Sequence, residues 1–218
     1  MKKRVLIVTA GLALSCLFPW AVQAAVTTTA QTAITAPAVQ VGTSLQNLTT
    51  TFNGESHAQA KYLAFAKKAQ SEGYLKIAKL FRAAAMSEGI QAQHHAAAVK
   101  AMGGIAKASP ETPRVGSTRE NLETALKSET YEIATLYPAY IQKAETEKNL
   151  KALQAFGGAK TIEAVHVKLF AAALSNLEAW KATGDLYVCR VCGNVVEKLD
   201  FEYCPICKEP ISEFVKIQ

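Results

Sequence analysis

The sequence predicts a mainly α protein: a four-helix bundle with one long crossover connection, then a small metal-knuckle domain at the C-terminal end. Two observations predict it. From Ser44 to about Thr183 apolar residues recur at alternating steps of three and four, with breaks at Ser71-Glu72-Gly73, from Gly103 to Thr118, and near Asn149. From Leu186 onward that period stops, and Gly, Pro and two Cys-x-x-Cys pairs replace it.

Ahead of the bundle, Lys2, Lys3 and Arg4 precede a mostly apolar stretch from Val5 to Val22, and Val22-Gln23-Ala24 resembles a signal-peptidase site. Residues 1–24 therefore read as a signal peptide, cleaved near Ala24, that exports the protein to a periplasm. A membrane anchor is the weaker alternative, because the apolar run nears the ~20 residues a span requires but ends at a cleavage-like site. Lipidation at Cys16 fits less well, since Ala-Leu-Ser ahead of it makes a poor lipidation box. Residues 25–43 are Thr/Ala-rich and nearly uncharged, as in a flexible tether. Without the three leader cations, 21 Lys+Arg face 18 Asp+Glu, a net charge of about +3. That is too mild to suggest nucleic acid as a partner.

Residues 44–184 hold four helices of roughly 27 to 33 residues each. Ser117 with Glu120 forms a capping box that opens the third. The second break is much longer than the others, which implies one long crossover rather than simple up-down-up-down turns.

Steps of three and four give each helix its core-facing seam. The first runs Leu45, Leu48, Phe52, Glu55, Gln59, Tyr62, Ala66, Ala69, and the second Ile77, Phe81, Ala84, Glu88, Gln91, His95, Ala98, Met102. The third gives Leu122, Ala125, Glu129, Glu132, Leu136, Ala139, and the fourth Ala152, Phe156, Ala159, Glu163, His166, Phe170, Ala173, Leu177. Every seam carries a carboxylate at its middle.

Five glutamates thus meet at one level of the core, with no Lys or Arg on the same stripes to neutralise them. An unpaired buried carboxylate costs several kcal/mol, and a domain is only ~5–15 kcal/mol stable. Two divalent or trivalent metal ions would balance the charge, and carboxylates with one or two imidazoles suit iron or manganese better than zinc or copper. Ferritin-like di-iron proteins use one Glu from each of two helices plus Glu-x-x-His from each of the other two. Glu163-Ala-Val-His166 is one complete Glu-x-x-His, its two side chains about 300° apart around the helix and so on one face. Glu88-Gly-Ile-Gln91 breaks the pattern: Gln91 offers a carbonyl oxygen and no imidazole nitrogen. His95 shares the stripe but lies about 10.5 Å of helix rise from Glu88, and His94 points off it. Both read as a surface or supporting pair.

Residues 185–218 carry Cys189-Arg-Val-Cys192-Gly193 and, after eleven residues from Gly193 to Tyr203, Cys204-Pro-Ile-Cys207. Two such knuckles build a tetrahedral four-sulfur site, which suits zinc or a single iron. Disulfides are the alternative in an exported protein.

On these motifs the chain resembles rubrerythrin, a ferritin-like di-iron bundle joined to a C-terminal rubredoxin-like domain. The resemblance runs from about Leu45 to the C-terminus. It rests on Phe52-Asn-Gly-Glu55-Ser with Tyr62 one heptad on, Glu129-Thr-Tyr-Glu132 followed by Tyr137-Pro138, Glu163-Ala-Val-His166 and the two knuckles. It implies a peroxidase that reduces hydrogen peroxide to water at a di-iron centre, with electrons relayed from a four-cysteine iron. By position, Glu55, Glu88, Glu129, Glu132, Glu163 and His166 would be iron ligands, with Tyr62 and Tyr137 orienting carboxylates. It also implies that the two centres of one chain are far apart and that a head-to-tail homodimer brings one chain's cysteine centre near the other's di-iron site. Gln91 departs from the family's His, which bears on the second iron. A ferroxidase, and a non-catalytic metal-binding or electron-transfer module with zinc in the cysteine site, are the other readings. The electron donor has no signature in the sequence.

Overall fold

The structure, a computed structural model, describes residues 39–109, 111–182 and 184–218. The expected signal peptide and residues 25–38 of the expected tether lie outside them. The tether's last residues are held rather than loose. Val39 packs against the bundle core, and the Asn47 side chain accepts from Gly42 N at 2.9 Å and donates to Gly42 O at 3.3 Å.

Helix α1 (Ser44–Ser71) opens on a capping box, in which Thr43 Oγ1 accepts from Gln46 N and Gln46 Oε1 accepts from Thr43 N. Gly73, at φ 81°, makes the reversal into α2 (Leu75–Ala101). The crossover then leads to α3 (Thr118–Tyr131), opened by the expected Ser117–Glu120 capping box. Carboxylates tie other helix starts in place: Glu72 accepts from Thr118 N and Oγ1 at 2.8 and 2.6 Å, and Glu147 accepts from Ser44 N at 2.9 Å.

The third helix of the bundle is not continuous. Glu132–Leu136 forms a π-helical turn between α3 and α4 (Tyr137–Thr146). A π turn adds one residue to the helical count and moves everything after it one place around the helix. The buried residues beyond it are accordingly Tyr137, Tyr140 and Ala144, while the expected Leu136 and Ala139 are only half-buried. The last long helix, α5 (Leu150–Ser175), ends earlier than the period suggested. Asn176 leaves helical geometry, and its side chain accepts from Ala179 N at 3.1 Å to begin a short 3-10 turn, Glu178–Trp180.

The four-helix layer encloses two apolar clusters with a band of buried carboxylates between them. One cluster holds Tyr62, Phe65, Phe81 and Phe170; the other holds Leu48, Val99, Tyr137 and Phe156. The first continues into Leu186, Val188, Val195 and Ile217 of the C-terminal domain. That domain is a three-stranded antiparallel sheet in the order β2-β1-β3, from β1 (Tyr187–Cys189), β2 (Val195–Val196) and β3 (Phe214–Lys216), with Val188 opposite both Val195 and Val215. Among the described residues no helix is long and apolar enough to cross a membrane.

Candidate metal centre

Each helix delivers its carboxylates by the spacing of its own seam. From α1 comes Glu55, from α2 Glu88 and Gln91, from α3 and the π turn Glu129 and Glu132, and from α5 Glu163 and His166. Glu55, Glu88, Glu129, Glu163 and His166 are each at most 2% exposed, and Glu132 is half-buried. Their ligand atoms form two clusters that share one residue. Glu88, Glu129, Glu163 and His166 gather within 4.8 Å of one another, and so do Glu55, Glu132 and Glu163. Glu163 therefore stands between two positions for an ion.

Two phenols support this layer from the flanking apolar clusters. Tyr62 donates its hydroxyl hydrogen bond to Glu129, and Tyr137 donates to Glu55. Burial and the neighbouring carboxylates hold both phenols well above the ordinary tyrosine range, so they remain O–H donors. Gln91 is a donor as well, from Nε2 to Glu163 Oε1 at 2.6 Å. That bond orients a carboxylate, while Gln91's own Oε1 is buried and without a hydrogen-bond partner.

The charges do not balance within the protein. Burial, followed by repulsion from Glu163, pushes Glu88 and Glu129 well above the usual carboxylate range, and burial followed by repulsion from Glu55 does the same to Glu163. For His166 burial lowers the value and outweighs the attraction of Glu129 and Glu55, which favours the neutral imidazole a metal needs. His166 Nδ1 lies 2.7 Å from Glu163 Oε2 and 3.2 Å from Glu88 Oε1, yet both ring nitrogens and both of these oxygens lack a directed hydrogen bond. Buried donor atoms that converge without pairing are what a cation requires. The residues fit two metal ions.

His95 was expected at the surface or in a supporting role. It is fully buried, with its Nε2 3.7 Å from Glu55 Oε1, whereas His94 is exposed. The rise along α2 does separate His95 from Glu88, but it says nothing of Glu55, which reaches His95 from the neighbouring helix.

In the C-terminal domain the sulfurs of Cys189 and Cys207 are 3.7 Å apart, and so are those of Cys192 and Cys204. Four sulfurs about 2.3 Å from one ion stand about 3.8 Å apart at tetrahedral corners. The spacing is that of a metal site and not of disulfides. Burial raises the Cys207 thiol to about 11 and the Cys192 thiol further, so both stay protonated until an ion takes the proton's place. Each knuckle ends on a left-handed residue, Gly193 at φ 84° and Lys208 at φ 66°.

This knuckle domain lies against its own bundle. Ser87 Oγ, one residue before Glu88, donates to Gly193 O at 2.7 Å. A cavity of about 620 Å³ is bordered by Gln91 and His95 on one side and by Cys192 and Cys207 on the other. The wide separation implied by the resemblance is not what the described residues of this chain show. The reason lies in the last helix: α5 stops at Ser175 and the chain turns back over Trp180 onto α2, where Leu75 N donates to Lys181 O at 3.1 Å.

Comparison with known proteins agrees with the geometry. The rubrerythrin family model matches residues 46–174. Nigerythrin of Nitratidesulfovibrio vulgaris is 39% identical over 175 residues, covering 80% of this chain and 86% of that protein. Rubrerythrin of Porphyromonas gingivalis is 32% identical over 176 residues, covering 78% and 87%. Among solved structures, fully reduced, all-ferrous nigerythrin superposes with a TM-score of 0.77 at 37% identity, over 84% of this chain and 91% of that one.

Proposed function

This chain belongs to the rubrerythrin family, and from that premise we propose that it is an exported peroxidase, reducing hydrogen peroxide to water as a defence against oxidative stress. The observation that carries the reading is the pair of carboxylate clusters that meet at Glu163, the one with His166 fully buried and holding ring nitrogens and oxygens without partners. Glu55, Glu88, Glu129, Glu132, Glu163 and His166 would hold the ions. Two ferrous ions held there would supply the two electrons that, with two protons, reduce one peroxide to two waters.

The protein's own part is to position and to protect. Glu163, fixed by the Gln91 amide, spans both positions. Tyr62 and Tyr137 hold Glu129 and Glu55 in their rotamers, and the aromatic clusters above and below keep bulk water from the layer. The cavity beside Gln91 and His95 admits a substrate as small as peroxide.

The four-cysteine site serves as the electron relay if it holds iron, since zinc has no redox chemistry. Cys192 and Cys207 border the cavity, and Gly193 rests on the residue before Glu88, so one chain already brings the two centres together. In a head-to-tail homodimer, as the resemblance implies, the partner's cysteine centre would take this relay position instead.

The test is single-turnover reoxidation of the fully reduced, iron-loaded protein by hydrogen peroxide. Wild type should oxidise both centres. Glu163→Ala should stop peroxide-driven oxidation while leaving the four-cysteine spectrum intact, and full retained activity in that variant would overturn the reading. Iron turnover far beyond two per chain, with no need of the cysteine site, would instead mark a ferroxidase.

A further inference from the structure

We propose that His95 is a ligand of the metal position formed by Glu55, Glu132 and Glu163, so that α2 supplies an imidazole one turn beyond Gln91. This rests on the two-metal reading above. The argument begins with an unpaired group. His95 is 0% exposed, and neither of its ring nitrogens has a hydrogen-bond partner. A buried polar group left in that state costs about 1–3 kcal/mol.

The ring is also aimed. It stacks on Tyr137, with centroids 6.3 Å apart and planes 17° from parallel, and it is flanked by Phe156 at 5.9 Å. Tyr137 is the phenol that donates to Glu55, so one side chain orients both groups. The separation of 3.7 Å between His95 Nε2 and Glu55 Oε1 is too long for a hydrogen bond. It does suit two donors on a single ion, since bonds of about 2.1 Å place neighbouring ligands about 3–4 Å apart.

The position otherwise has only oxygens. Glu55, Glu132 and Glu163 are carboxylates, and Gln91 turns its amide N–H toward Glu163. With His95 each ion has one imidazole: His166 grouped with Glu88 and Glu129, and His95 reaching the other position through Glu55. The competing account is a cavity wall, because His95 also borders the 620 Å³ space, where water could reach it.

The experiment is pulsed EPR on the iron-loaded full chain, poised with one electron in the metal pair, using ¹⁵N-histidine labelling to count directly bound imidazoles. Two are expected in wild type. His95→Gln should remove one and weaken loading of the second ion about 10–100-fold, and His166→Ala should remove the other. A single imidazole in wild type overturns the assignment and leaves the two-metal reading standing, whether or not the variants fold. A wild-type bundle that takes up no iron overturns both.

Discussion

At the scale of single residues, the centre depends on groups that never touch an ion. Tyr62 and Tyr137 each offer one hydroxyl to one carboxylate inside a buried layer. Such supporting hydrogen bonds typically matter 10–100-fold in metal affinity. Tyr62→Phe should lower the affinity of the Glu88–Glu129–Glu163–His166 position by about that factor, and Tyr137→Phe should do the same at the Glu55 position. Iron titration of each variant checks this, and an unchanged affinity would assign the phenols to packing alone.

Elements set which residues can meet, and two of them do so by departing from regular geometry. Glu129 and Glu132 share a face by their spacing of three, and the π turn at Glu132–Leu136 brings Tyr137, Tyr140 and Ala144 to the core. Deleting the exposed Ala134 should convert the turn to α-helix and keep the fold. It should also turn Tyr137 away from Glu55 and weaken metal binding at the Glu55 position. Circular dichroism and metal analysis together test this. The knuckle contact is the second case. Gly193 sits at φ 84°, and a Cβ there would lie 2.7 Å from Ser87 Oγ, so glycine is needed both for conformation and for approach. Ser87→Ala leaves the Gly193 carbonyl unpaired at about 1–3 kcal/mol. Hydrogen exchange should then show residues 187–196 opening more readily while the bundle is unchanged. Equal protection in both proteins would mean that the apolar contacts alone dock the domain.

The whole molecule carries the electrostatic consequence. Metal-free, Glu88, Glu129 and Glu163 have folded values raised well above 4.5 by burial and mutual repulsion. A raised carboxyl favours the fold below its unfolded value, and that contribution is lost as pH rises through the folded one. The metal-free protein should therefore lose thermal stability as pH is raised from about 5 to 8. The iron-loaded protein, whose carboxylates are neutralised by the ions, should not. Melting curves with and without chelation across that range test the claim, and parallel pH profiles would show that the carboxylates are balanced some other way.

The sequence by itself determined the helical stripes, the placement of a carboxylate on each, the Glu163–His166 pair and the four-sulfur spacing. These follow from periods of 3.6 residues and from short knuckles, both of which are local. Tertiary structure decided what local periodicity cannot express. It shifted the seam after Glu132, because a π turn inserts one residue that no propensity marks. It brought His95 to Glu55, because the relevant distance runs between neighbouring helices and not along one. It set the cysteine knuckle on Ser87 of the same chain, because the path after Ser175 depends on where Trp180 and Leu186 find apolar surface to cover. Rise and turn along a helix fix which residues share a face, and only packing decides what that face meets.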